Sequence, residues 1–310
     1  MTTPRLIAID VDGTLLHSDG HVSERNLAAL RAAEEAGIEI AIATGRRHCY
    51  AMRVLRDLDR PARSALISSN GTVIRTLGSE LVHRSHMPVE TARWLCEHVR
   101  EFRGTLVLTF DKVLPDGEDE RGALVCERMD ELNASIGRWM DANEPYFEFV
   151  SPIERSLEHA APIQMMLCGP IDRMREAEAH LLSDPRVTNV DGECAQGIEV
   201  VLHRTEYEHR DLCILDILPS GCSKASALLR LAELRGMDWS EILAIGDNWN
   251  DLSMLQMAGR SAVMANAPAD LRTLAEERGW MIAPTNDEDG VAVVIEAVLP
   301  GVRDLSTAIR

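Results

Sequence analysis

"RLIAIDVDGTLLHSDG", residues 5–20, decides how the rest of the chain is read. The apolar run at Leu6–Ile9 leads straight into Asp10 and Asp12, which stand one residue apart. A short apolar run bounded by turn residues reads as a strand buried on both faces. Two carboxylates at its end repel each other, so a cation has to accompany them. Outward from this strand the pattern alternates. Residues 23–36 predict a helix, with Ser23 as N-cap and Gly37 as its stop. "IEIAIAT" predicts a second buried strand that ends on Thr44-Gly45-Arg46. A helix to about Leu58 follows, ended by Pro61, and "SALISSNG" predicts a third strand closed by an Asn-Gly turn. This β-α-β-α-β order argues for a parallel sheet with right-handed crossovers.

The middle of the chain, 84–212, has a different rhythm. Short strands ("TLVLTF", "FEFV", "PIQMMLC", "GIEVVL") mix with helices around an acidic turn, "PDGEDER". From residue 213 the opening rhythm returns: "CILDILP" and "EILAIGD" read as strands, each followed by a helical segment, and "RSAVMA" reads as a further strand. The predicted fold is therefore α/β: a doubly wound, mostly parallel, Rossmann-like core of residues 1–83 and 213–310, with an α+β cap domain of residues 84–212 inserted into it.

Composition narrows the function classes. The chain has 310 residues, 45% hydrophobic and 26% charged, enough for two packed domains. Its net charge of −18 repels nucleic acid and anionic lipid, so neither is an expected partner. A phosphorylated substrate is repelled too, and any phosphate site must supply its own positive charge. The seven cysteines, Cys49, Cys96, Cys126, Cys168, Cys194, Cys213 and Cys222, are scattered with no C-x-x-C pair, which favours reduced thiols. The start of the chain lacks a signal-peptide pattern, and no apolar run approaches the roughly 20 residues that cross a bilayer. The expected location is the cytoplasm; the sequence leaves the oligomeric state open.

In open α/β sheets, sites form at the carboxyl ends of strands. Four such places carry unusual polar residues: Asp10 and Asp12; Thr44; Lys224, after "LDILP" in the first turn of its helix; and Asp247, with Asn250 and Asp251 close behind. Four crowded aspartates stay ionised only around a cation, and an all-oxygen set suits Mg²⁺. Lys224 and the Thr44 hydroxyl are placed to hold phosphate oxygens. One aspartate can then act as a nucleophile through an aspartyl-phosphate. Asp10 fits that role, and Asp12 fits the general acid and base that serves the leaving alkoxide and then the attacking water. Gly13 permits the tight turn.

These residues resemble the haloacid dehalogenase-like phosphatase superfamily, and within it the Cof-type branch with a large α+β cap. Its first motif, D-x-D-G-T, is matched by Asp10, Asp12, Gly13 and Thr14, a coincidence on the order of 10⁻⁴ for a chain of this length. Thr44-Gly45-Arg46 matches the second motif and Lys224 the third. Gly246, Asp247, Asn250 and Asp251 match the fourth, G-D-x-x-N-D. "SSNG" (68–71), "VMANAPADL" (263–271) and "DEDGVA" (287–292) are weaker features in the family's order. The resemblance implies Asp10 as nucleophile and Asp12 as acid/base. It implies Mg²⁺ on the Asp10 carboxylate, the Asp12 main-chain carbonyl and Asp247, with Asp251 close by or reached through water. It implies that Thr44, Gly45, Lys224 and Asn250 bind the phosphoryl group of a small phosphorylated metabolite, a sugar phosphate or a cofactor phosphate. Trp249 departs from the small or polar residue usual in its slot, and reads as a wall of the substrate entrance.

Blander readings compete at each position. Asp10 and Asp12 alone could be a capped turn or an isolated Ca²⁺ loop; the other three motifs, in order, weigh against that. Thr44 could simply cap the next helix. Arg47 reads as a surface residue. His17, His21 and His48 lie near the motifs without a ligand spacing, so surface or packing roles are expected. The methionines of "QMMLC" and "LSMLQM" read as core. Two other functions stay open: a phosphotransferase or phosphomutase of the same superfamily, and a regulatory phosphate-binding protein without catalysis.

Overall fold

The computed structural model describes residues 3–58, 61–189 and 196–299. The strands are β1 (Leu6–Ile9), β2 (Glu39–Ala43), β3 (Ala65–Ser68), β4 (Val73–Thr76), β5 (Leu81–Arg84), β6 (Leu106–Thr109), β7 (Leu124–Cys126), β8 (Phe147–Phe149), β9 (Gln164–Gly169), β10 (Val187–Thr188), β11 (Val200–Tyr207), β12 (Leu212–Pro219), β13 (Ile242–Gly246), β14 (Arg260–Met264) and β15 (Met281–Ala283). The helices are α1 (Glu24–Glu35), α2 (His48–Leu55), α3 (Val89–His98), α4 (Asp130–Asn143), α5 (Ile171–Leu182), α6 (Lys224–Arg235), α7 (Leu252–Met257), α8 (Ala269–Arg278) and α9 (Gly290–Val298). They fall into two compact units, one ending at Gly78 and resuming at Lys224, the other running from Ser79 to Ser223.

The first unit is a doubly wound sheet with the order β15-β14-β13-β1-β2-β3-β4. Its pairings are parallel from β15 to β3, and β4 alone turns back antiparallel on β3. Alternate side chains of β1 explain the two helical layers. Ile7 and Ile9 pack into a core with α1, α2 and α9, while Leu6 and Ala8 face a second core with α6, α7 and α8. Both faces are buried, so the strands read as unbroken apolar runs. The predicted caps hold: Ser23 accepts a hydrogen bond from the Asn26 amide at 3.0 Å, and Gly37 takes φ +81°.

The second unit is a mixed sheet, β10-β11-β12-β9-β6-β7-β8. It is antiparallel from β11 to β7, with a parallel pair at each end. Helices α3 and α5 join Leu106, Leu108, Leu167 and Leu215 in one core, and α4 covers Val107, Cys126 and Cys168 on the other face. The strand at 212–219, read from the sequence as the start of the returning core, lies here. It pairs antiparallel along its length with β11, from Leu212 opposite Tyr207 to Pro219 opposite Val200. An apolar run looks the same in either sheet; the long antiparallel register with β11 decides its place.

Among the described residues no helix is long and apolar enough to cross a membrane. The six described cysteines are buried and free of disulfides; Cys194 lies outside the described residues.

Candidate active site

All the site residues singled out from the sequence fall in the first unit; all but Lys224, which opens α6, follow the carboxyl ends of its strands. Asp10 follows β1, held by its amide donating to the Ile245 carbonyl at 3.0 Å, and is buried. The chain then turns tightly through Val11–Leu15, with Gly13 at φ +78°. A Cβ at Gly13 would lie 2.3 Å from Asp247 Oδ2, so only glycine lets the turn approach that carboxylate. Thr14 donates to Asp247 Oδ1 at 3.0 Å. Gly246 makes a similar allowance: its missing Cβ would meet Asp251 Cβ at 2.6 Å.

Lys224 opens α6 fully buried, and its Nζ donates to Asp10 Oδ1 and Asp251 Oδ1, each at 2.6 Å. The other Asp251 oxygen accepts the amides of Asp247, at 3.0 Å, and Asn248, at 3.1 Å. Asp10, Asp247 and Asp251 each offer an oxygen within 4.8 Å of the others, and all three are buried. One ammonium thus faces three buried carboxylates. Burial, then the charge of Asp251, pushes Asp10 up to about 7 despite Lys224. Burial, then Asp10 and Asp251, holds Asp247 well above the ordinary carboxylate range. Burial works against the Lys224 ammonium, but Asp10 and Asp251 outweigh it and raise its pKa. Such a set is short of positive charge, and its donors are all hard oxygens, so the residues present fit a divalent cation.

Thr44 follows β2, buried, with its hydroxyl accepting the Arg46 amide at 3.1 Å. The Thr44 carbonyl accepts the Asn70 amide at 3.1 Å. Gly45 sits against the Asn70 carboxamide, and Asn250 donates to Asn70 Oδ1 at 3.4 Å. Thr44, Gly45 and Asn250 are therefore gathered around Asn70. Asp12 stands apart from the buried cluster: its side chain is 50% exposed and gripped by Arg46. Trp249 is partly exposed.

Three participants escaped the sequence reading. Thr14 lay inside the first motif without a role. Asn70 reads in the sequence only as a turn former, and its burial against Gly45 and Asn250 leaves no local trace. Arg46 was quoted as part of a motif, but its pairing with a residue 34 positions away leaves no local trace. Arg47, at the N-cap position of α2, is buried rather than on the surface. His17 contacts Asp289 at 3.1 Å and His48 is buried, so neither joins the acidic cluster. The later features support the first loop: Asn266 donates to the Gly13 carbonyl at 2.8 Å, and Asp287 accepts the Ser18 amide at 2.7 Å; just before it, Asn286 donates to the Leu16 carbonyl at 2.8 Å.

Residues 7–295 match the family described as haloacid dehalogenase-like hydrolase. The chain belongs to that family. Within the family it stands with the phosphatases. It is 30% identical to the 5-amino-6-(5-phospho-D-ribitylamino)uracil phosphatase of Bacillus subtilis, over 96% of this chain and 99% of that one. It is 27% identical to the HMP-PP phosphatase of Escherichia fergusonii, over 86% of each. A haloacid dehalogenase-like hydrolase of Bacteroides thetaiotaomicron superposes with a TM-score of 0.71 at 27% identity, covering 95% of this chain and 99% of that one. Haloacid dehalogenase-like hydrolases generally work with a divalent metal, in keeping with the buried acidic triad of this member.

Proposed function

We propose that this haloacid dehalogenase-like hydrolase is a Mg²⁺-dependent phosphomonoester phosphatase acting on a small phosphorylated metabolite through an aspartyl-phosphate on Asp10. The observation that carries the reading is the buried grouping of Asp10, Asp247 and Asp251 around the single ammonium of Lys224. The Asp10 and Asp247 carboxylates, the Asp12 main-chain carbonyl and Asp251 would hold Mg²⁺. When bound, the ion supplies positive charge for the phosphoryl oxygens and for the ionised Asp10.

The side chains divide the remaining work. Lys224 orients Asp10 by a charge-assisted hydrogen bond and favours its ionised form against the pull of burial and Asp251. Thr44, Gly45 and Asn250 line the place where the phosphoryl oxygens sit. Asp10 attacks phosphorus while Asp12 gives its proton to the departing alkoxide; Asp12 then takes a proton from the water that hydrolyses the acyl phosphate. The relatives named above act on a phosphoribityl uracil and on HMP-PP. Their names support a phosphate ester of a small heterocycle-bearing or sugar-like metabolite as the substrate class. The second unit, Ser79–Ser223, is proposed as the cap that selects it.

The test is phosphate release from a panel of such metabolites, with Mg²⁺ and with the metal chelated. The expected outcome is metal-dependent release that Asp10→Asn lowers by about a thousandfold or more. Equal release by the wild type and Asp10→Asn would end the reading; a sugar-phosphate isomer formed instead of inorganic phosphate would favour a phosphotransferase.

A further inference from the structure

We propose that Arg46 is the positioning residue for Asp12, holding the exposed acid/base in one orientation for both halves of the reaction; this rests on the proposed role of Asp12. Asp12 is the one motif carboxylate outside the buried cluster. Its neighbour Asp10 repels it, and solvent leaves its torsions free. Arg46 removes that freedom by a two-pronged grip: Nε donates to Oδ2 at 2.8 Å and Nη2 to Oδ1 at 2.5 Å. A bidentate guanidinium fixes the plane of a carboxylate as well as its place, which an ammonium cannot do.

Arg46 is itself built in. Its amide donates to the Thr44 hydroxyl, its carbonyl accepts the Ser69 amide at 2.9 Å, and its guanidinium lies 4.9 Å from the centre of the Tyr50 ring. Its side chain is only 18% exposed, against 50% for Asp12. The rigid partner therefore orients the mobile one. An ordinary surface ion pair between two solvated side chains imposes no such geometry.

The function of that geometry lies in the second half-reaction. Water attacks the phosphorus of phospho-Asp10, the new water oxygen–phosphorus bond forms, and the bond from phosphorus to the Asp10 oxygen breaks. Asp10 leaves as carboxylate, the water proton passes to an Asp12 oxygen, and inorganic phosphate is the product. Asp12 then gives that proton to the leaving oxygen of the next substrate. The fork engages one site on each Asp12 oxygen and leaves further lone pairs for the proton. Without Arg46 the carboxylate samples many orientations, and few of them face the water.

p-Nitrophenyl phosphate separates the steps, because its leaving group departs with little help from an acid. For Arg46→Ala the expected result is a retained burst of nitrophenolate, then steady-state turnover slowed about tenfold or more with KM changed by less than about threefold. In the Asp12→Asn background, Arg46→Ala should change the residual rate by less than about twofold, since the two act as a unit. Arg46→Lys keeps the charge without the fork, and should stay within about threefold of Arg46→Ala. If the alanine variant does not fold, the lysine variant is read by the same kinetics. Wild-type turnover in these variants, a KM raised with turnover intact, or an equal loss in both Asp12 backgrounds would overturn the proposal. Activity surviving in Asp10→Asn would instead overturn the phosphatase reading beneath it.

Discussion

Asp10 holds a proton more firmly than a solvated aspartate, with a pKa near 7 against an ordinary 3.8, because burial and the Asp251 charge oppose its ionised form. The sign of the consequence follows from linkage. Between those two values the folded chain binds more protons than the unfolded one, so stability falls as pH rises through the window. A metal-free sample should therefore melt lower at pH 8 than at pH 6. A divalent cation needs the ionised carboxylate and expels the proton, so its affinity runs the other way. Mg²⁺ should bind the metal-free protein about tenfold tighter at pH 8 than at pH 6, with proton release on binding at the lower pH. Calorimetry in buffers of different ionisation enthalpy measures both quantities. Equal affinity at the two pH values would mean that Asp10 is not among the ligands.

The turn between β3 and β4 is the element that ties the loop after β2 to Asn250. Ser69, Asn70 and Gly71 all take positive φ, at 49°, 52° and 98°, and their amides and side chains meet Thr44, Gly45, Arg46 and Asn250. Backbone strain of this kind persists where the surroundings enforce it, often beside a site. Asn tolerates the left-handed region; alanine in it costs roughly 1–2 kcal/mol. Asn70→Ala should therefore be less stable than Asn70→Gly by about that amount in urea unfolding, and both should lose kcat/KM about tenfold through the lost carboxamide. Full activity in Asn70→Gly would confine Asn70 to a backbone role. The elements differ in how far the sequence betrays them. The strands β1, β2, β3, β13 and β14 were legible because burial on both faces leaves unbroken apolar runs between capped helices. The place of 212–219 was not, since its apolar run records burial and not its partner β11. Likewise Asp10, Asp12, Thr44, Lys224 and Asp247 were readable as strand-end polar residues. The Arg46–Asp12 grip and the Asn70 hub were not, because they exist only once distant loops converge.

At the scale of the whole molecule, charge sets the terms on which an anionic substrate arrives. The chain carries a net −18, and the buried cluster of Asp10, Asp247 and Asp251 exceeds Lys224 in charge until a cation joins it. With the ion bound, the near field is close to balanced, so the far field decides the encounter. That field reaches about 30 Å at 0.01 M ionic strength and about 8 Å at 0.15 M. Salt should therefore help this enzyme. Raising KCl across that range, at constant free Mg²⁺, should increase kcat/KM for a phosphate monoester by roughly two- to fivefold, while kcat stays level because the bound complex no longer feels the far field. Steady-state rates at substrate concentrations far below and far above KM separate the two constants. A kcat/KM that falls with salt would mean that the field near Lys224, Arg46 and the ion outweighs the net charge and draws the substrate in.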